Sequence, residues 1–313
     1  MKEQTILDNS RITKHLGQTS EYKDQYDPSL LVSEPRSNNR KHLDIHEDSL
    51  PFVGYDTWNA YEVSALTDNG LPVAGVAKVV YPCDSKYIVE SKSIKLYFNS
   101  FNMYKCGKTP EEATMRMDYL AVKDLRDLLE TNVHVHTIPA NVKANGDSVF
   151  KGKQYNTLES WFDNVEIREM QVDTYSETPE LLELMPPEET GLETREVRWH
   201  SSLLKSNCRV TSQPDWGDVY IMYKGQQHVE PESLLKYIIS FRDECHFHEE
   251  ICETIYKRLH DVLLPEELIV TCLYARRGGI DINPVRASHK HLIVRECGDL
   301  ISPVVLHGKT AKQ

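Results

Sequence analysis

From Tyr61 to Leu66 apolar and polar positions alternate, the chain turns at Asp68-Asn69-Gly70, and alternation resumes through "LPVAGVAKVVY". An Asn-Gly between β-rich runs predicts a β-hairpin, because both residues tolerate the left-handed backbone of a tight reversal. "KYIVESKSIKLYFNSF" (86–101) sets Ile94, Leu96 and Phe98 against Lys95 and Tyr97, a period of two that predicts a half-buried strand. A helix is predicted after Thr109. Thr109 can cap it, Pro110 suits its first position, Glu112 completes a capping box, and Met117, Leu120, Ala121 and Leu128 form its apolar stripe. "VHVHTI" (133–138) then alternates as a strand. In the second half the pattern predicts a strand to about Thr211, a turn at "SQPDWG" and a strand "DVYIMY". Helices follow over 231–241 and 247–263, the latter striped by Phe247, Ile251, Ile255, Leu259 and Val262, and then a strand ending in the glycine-rich "RRGG" turn. Each half reads as strands, helices, strands, which predicts two related α+β modules packed as a pseudo-dimer, a repeat visible in pattern rather than in letters. The expected organisation is an irregular surface arm over 1–50, a module over 51–170, an acidic linker over 171–197, a module over 198–290 and a tail over 291–313.

The 313-residue chain is long enough for a core without covalent staples, and its seven cysteines, odd in number and without CxxC spacing, suggest neither a disulfide framework nor a zinc ribbon. A reducing cytoplasm is the expected compartment. No run of 18 apolar residues is present, so no membrane span is predicted. A formal charge of -12 disfavours a sequence-independent grip on nucleic acid and points to a small molecule or a protein partner. Between Glu169 and Thr194 there is no Lys or Arg, and the prolines among the carboxylates there mark a linker or solvated excursion.

Chemistry is concentrated in a few stretches. Cys208 follows Lys205, Ser206 and Asn207, a polar setting that favours thiolate, whereas Cys252 and Cys272 sit in apolar runs. Asp215, seven residues on, can be folded back beside it by the flanking strands; the alternative is a turn-filling Asp. The pairs His134/His136, His246/His248 and His289/His291 could each offer two imidazoles to an ion, but no third ligand and no HExxH accompanies them. Glu249 opens a helix, so it serves either the helix terminus or the donor-rich edge of a heterocycle. Neither GxGxxG nor GxxxxGK[ST] occurs. Arg276 and Arg277 beside two glycines, and Ser91, Lys92 and Lys95, could hold phosphate, or form a solvated turn and strand face.

In their order, "ESKSIKLYFNSFN", "LLKSNCRVTSQPDWG", "SFRDECHFHEE" and "YARRGGIDINP", with "YDPSLL", "PRSNNR" and "LPFVGYDTWNAYE", resemble the long two-module form of the NADPH-dependent nitrile reductases of the QueF family. The resemblance implies two tandem tunnelling-fold modules, antiparallel sheets with helices on one face, as also seen in GTP cyclohydrolase I. It implies reduction of 7-cyano-7-deazaguanine to the aminomethyl compound in queuosine biosynthesis, with two NADPH per turnover, no metal, and a homodimer in the cytoplasm. By the same resemblance Cys208 is the thioimide-forming nucleophile and Asp215 the proton donor. Val89, Glu90, Ser91, His248 and Glu249 bind the substrate, and Ser91, Lys92, Arg277 and Gly278 contact NADPH. Two rivals remain: a zinc-dependent cyclohydrolase of the same fold, and a purine-binding scaffold in which Cys208 is inert.

Overall fold

The computed structural model describes residues 23–140, 148–163, 166, 169–191, 193–209 and 211–313. β1 (Val53–Thr67) and β2 (Pro72–Pro82) form the expected hairpin, where Gly70 takes a left-handed φ of +89°. β3 (His134–Pro139) pairs with β2. In the second module β4 (Arg195–Ser201) and β5 (Lys205–Cys208) both pair with β6 (Pro214–Gly225), and the two-residue β7 (Cys245–His246) lies parallel to β5. β8 (Glu267–Tyr274) and β9 (Ile280–Ala287) follow. β9 then pairs with β1 from Ile280↔Ala60 to Ala287↔Val53, so the modules share one sheet ordered β7-β5-β6-β8-β9-β1-β2-β3. The first 22 residues of the expected arm lie outside the described residues.

Four helices cover one face of this sheet: α1 (Ser91–Asn99), α2 (Pro110–Leu129), α3 (Pro231–Ser240) and α4 (His248–Leu263). α2 begins at the predicted cap, with Thr109 Oγ1 accepting from Glu112 N at 3.2 Å, but the expected capping box does not close, because the Glu112 carboxylate accepts from Lys108 N (2.8 Å). A fifth, α5 (Lys290–Ile301), packs Leu292, Ile293, Cys297 and Leu300 on the opposite face, against Met222, Ile269, Leu273, Val285 and Ala287. The helices are therefore not all on one face.

Three further expectations are corrected. Residues 91–99 are helical, because Glu90 accepts from Lys92 N (2.8 Å) and Ser93 N (2.7 Å) and so fixes a first turn, after which Ile94, Tyr97 and Phe98 form a buried stripe. Asp215 is not in a turn. The reversal closes within 208–213, where Cys208 N donates to Gln213 O (2.8 Å), and Asp215 already pairs with Ser206 on β6. Residues 28–45 are not a surface arm: Leu30, Leu43 and Ile45 enter the core, and Arg36 and Arg40 are fully buried.

The repeat is also written in letters once the helices are placed. Val89-Glu90-x-x-Ser93-Ile94-x-x-Tyr97-Phe98-x-Ser100-Phe101 matches Val229-Glu230-x-x-Ser233-Leu234-x-x-Tyr237-Ile238-x-Ser240-Phe241. The hydrogen bonds repeat as well. Glu230 accepts from Glu232 N and Ser233 N as Glu90 does from Lys92 N and Ser93 N, and Ser93 and Ser233 each return a hydroxyl to their glutamate's carbonyl.

Candidate active site

The seam between β9 and β1 runs under a cavity of about 360 Å³ on the helix-covered face. The first module supplies Trp58 and the N-terminus of α1; the second supplies the β5–β6 loop, the N-terminus of α4 and the 276–279 turn. Glu90, Ser91, Lys92, Cys208, Asp215, His248, Glu249, Arg277 and Gly278 all line it, every residue that the family resemblance assigns except Val89, while His134, His136, His289 and His291 lie outside it. Val89 does not line it; its side chain is buried in the core of the first module. Arg276 lies over the Tyr61 ring, 3.5 Å from its centroid, outside the cavity lining.

Cys208 is half-buried and faces Gln213 across the hairpin, which sets Asp215 on the same face as a diagonal neighbour. Asp215 is gripped from both sides. Arg277 Nη1 donates to its Oδ1 at 2.6 Å, and His248 Nε2 lies 3.2 Å from its Oδ2. Burial alone would raise this carboxyl, but His248 and Arg277 outweigh it and hold Asp215 below its ordinary pKa of 3.8. It is therefore a carboxylate at neutral pH. The His248 ring is held in turn by a parallel stack on Tyr274, with centroids 3.7 Å apart.

Glu249 follows the opposite logic. It is fully buried on the first turn of α4, its Oε1 has no hydrogen-bond partner among the described residues, and burial with Asp56 nearby pushes its pKa up to about 8 against the pull of Arg36 and Arg286. Glu90 is also buried, and burial raises it despite the two helix amides that it caps. Trp58 Nε1 and His248 Nδ1 are unpartnered beside them. The cavity thus presents acceptors and donors to a ligand edge that carries both. Ser91, Lys92, Lys95 and Gly278 complete its polar lining, and Gly278 and the adjacent Gly279 take φ values of +58° and +79° that suit glycine. A Cβ on Gly279 would come within 2.5 Å of the Glu62 carboxyl carbon.

Sequence reading missed Trp58, Thr211, Gln213, Phe247, Ile280 and Ile282 as lining residues, and noted His246 only as half of a metal-like pair. The signal for Trp58 and Ile282 was strand parity, legible only once β1 and β9 are known to pair, since Ile282 sits directly opposite Trp58. Among the described residues no three His, Cys, Asp or Glu side chains converge as a metal site.

Two family profiles match the chain: one for the N-terminal part of nitrile reductase, 7-cyano-7-deazaguanine reductase, over residues 22–137, and one for QueF-like protein over 214–292. A Rickettsia massiliae protein named NADPH-dependent 7-cyano-7-deazaguanine reductase is 39% identical over 278 residues, covering 89% of this chain and 94% of that protein. Proteins of the same name from Legionella pneumophila and Colwellia psychrerythraea are 38% and 37% identical, over 90% and 91% of this chain and 92% and 94% of their own lengths. A solved archaeosine synthase QueF-Like structure in the apo form matches 30% of this chain and 91% of its own, at 19% identity and a TM-score of 0.27.

Proposed function

The chain belongs to the 7-cyano-7-deazaguanine reductase family of nitrile reductases, and from that premise we propose that it reduces the nitrile of 7-cyano-7-deazaguanine to an aminomethyl group through a thioimide on Cys208. The observation that carries this reading is the placement of Cys208 and Asp215 on one hairpin, facing Glu90 and Glu249 across a single cavity.

A nitrile carbon is electrophilic, and a positioned thiol adds to it. The sulfur bonds to carbon while the thiol proton passes to nitrogen through Asp215, whose ionised state suits it to accept that proton before delivering it. Glu90 and Glu249 hold the N–H edge of the heterocycle so that the nitrile points at the sulfur. NADPH, when bound, supplies a hydride to carbon at each of two reductions. Ser91, Lys92, Arg277 and Gly278 would hold it, and with Lys95 they give the cavity lining cationic groups suited to a phosphate. The first reduction ends with the Cys208 sulfur leaving to give an imine. The second gives the amine, so nitrile, two NADPH and two protons become amine and two NADP⁺. The product feeds queuosine biosynthesis in the cytoplasm. A homodimer is expected because β3 ends the sheet with no outer strand among the described residues.

The test is intact mass spectrometry of the protein mixed with the nitrile alone. One added ligand mass per chain is expected, lost in Cys208→Ala while ligand binding stays measurable; binding without any adduct in the unaltered protein would leave only the inert purine-binding scaffold.

A further inference from the structure

After the nucleophile the chain reverses tightly, with Cys208 N donating to Gln213 O, and Ser212 there holds a left-handed φ of +53°, uncommon for a residue with a Cβ. Such a loop keeps its place only if its surroundings fix it, and here two arginines do so from opposite flanks. Arg277 bonds Thr211 Oγ1 (2.8 Å), Gln213 Oε1 (2.7 Å) and Asp215. Arg209, next to Cys208, donates to Glu250 Oε1 at 2.7 Å, and Glu250 is only 3% exposed. Glu250 Oε2 also accepts from Phe247 N (3.0 Å), at the start of α4, and lies 3.3 Å from His246 Nδ1. His246 Nε2 meets Glu244 at 3.2 Å, and β7 sets His246 in register with Cys208 itself. Burial would lower the His246 pKa, but Glu244 and Glu250 raise it to about 9, so the imidazole is charged at neutral pH. Arg209, Glu250, His246 and Glu244 therefore alternate in charge and tie the nucleophile's loop to the helix turn that carries His248 and Glu249.

We propose that Glu250 and Arg209 are positioning residues, holding Cys208 at a fixed separation from the Glu249 anchor without themselves touching the reacting atoms. This rests on the thioimide reading. Their tie is independent of Arg277, the flank that the cofactor would share, so it persists when Arg277 turns toward a phosphate.

The experiment follows three quantities in the full-length protein and in Glu250→Gln, Arg209→Met and the double variant: the nitrile Kd, the rate of adduct formation at saturating nitrile, and alkylation of Cys208 by iodoacetamide. Expected in each single variant is an adduct rate at least tenfold lower, with Kd changed less than threefold and alkylation unchanged. The double variant is expected to be no slower than the worse single one, since both remove the same tie. Arg209→Lys should restore part of the rate. Arg209→Met leaves the helix cap intact, so it remains informative if Glu250→Gln folds poorly. Unchanged adduct rates in both single variants overturn the proposal, as does alkylation that falls in step with adduct formation, which would make the cluster act on the thiol. Absence of any adduct in the unaltered protein removes the thioimide reading, and this inference with it.

Discussion

Asp215 and Glu249 line one cavity and have pKa values shifted in opposite directions, a divergence that suits the separate tasks proposed for them. Asp215 is ionised over the whole neutral range and can take a proton from Cys208; an asparagine there cannot. Asp215→Asn should lower adduct formation by about 10²–10⁴-fold, the usual scale of general acid–base catalysis, with the circular dichroism spectrum retained. Near-normal rates would leave Asp215 a structural partner of Arg277. In the proposed binding mode Glu249 needs its charge to accept from the ligand's N–H edge, yet below about pH 8 its buried carboxyl holds a proton. Ligand affinity, measured by calorimetry, should therefore weaken by up to about tenfold for each pH unit below about 8, with release of a proton on binding. Glu249→Gln should bind more weakly and lose that slope. The same proton has the opposite sign for folding. Because the folded chain binds it more tightly than the unfolded chain, Glu249's contribution to stability declines from about pH 4.5 up to about pH 8.

Each of the two helices α1 and α3 starts from a glutamate whose carboxylate caps two backbone amides, but only Glu90 also lines the cavity. Replacing either by alanine should cost about 1 kcal/mol of stability through the lost cap, read as a shift in denaturation midpoint. Only Glu90→Ala should also weaken nitrile binding, and equal binding losses in both variants would mean that the cap alone explains the effect. The same pair shows what was legible in the sequence. The hairpin at Asn69-Gly70, the capped helix α2 and the helices α3 and α4 could be read because their signals are local. Residues 91–99 could not, because over so few positions Ile94, Leu96 and Phe98 mimic a strand while Ile94, Tyr97 and Phe98 make a helix, and the deciding fact is where the Glu90 side chain goes. Cys208, Asp215, Glu90 and Glu249 were legible as residues through family resemblance. Their meeting in one cavity depends on β9 pairing with β1, a contact across more than 200 positions that no local pattern encodes.

The seam that creates the cavity is also where the two modules are bound into one folding unit. Beneath α4, Asp56 of β1 pairs with Arg36 and Arg286, while Glu253 of α4 accepts from Arg40 (2.8 and 3.0 Å) and Arg286 (2.9 and 3.1 Å), and all five side chains are almost wholly buried. Arg40 also donates to Glu47 at 3.0 Å, so three guanidinium groups meet three carboxylates beside Glu249. On the other face of the seam Asp281 of β9 accepts from Asn59 and Tyr61 of β1 at 2.6 Å, and Lys309 of the tail reaches it at 3.0 Å. Polar ties on both faces, drawn from both modules and the tail, mean that unfolding either module takes partners away from buried charges in the other. Unfolding should thus be a single transition, with tryptophan fluorescence and far-ultraviolet circular dichroism coincident. Glu253 is the most exacting place to test this. Burial would raise its carboxyl, but Arg286, Arg40 and Arg36 hold it down at about 2 from its usual 4.5, so its stabilisation is complete above about pH 4.5 and is lost as pH falls toward 2. Glu253→Gln keeps the shape and removes the charge, leaving Arg36 and Arg286 to share Asp56 and Arg40 with only the half-exposed Glu47. It should cost about 3–5 kcal/mol and flatten the acid limb of the stability curve between about pH 4.5 and 2, with both probes still moving together. A separation of the two probes in this variant would show that the sheet pairing of β9 with β1 does not by itself hold the modules in one unit, and that the charge cluster is needed for it.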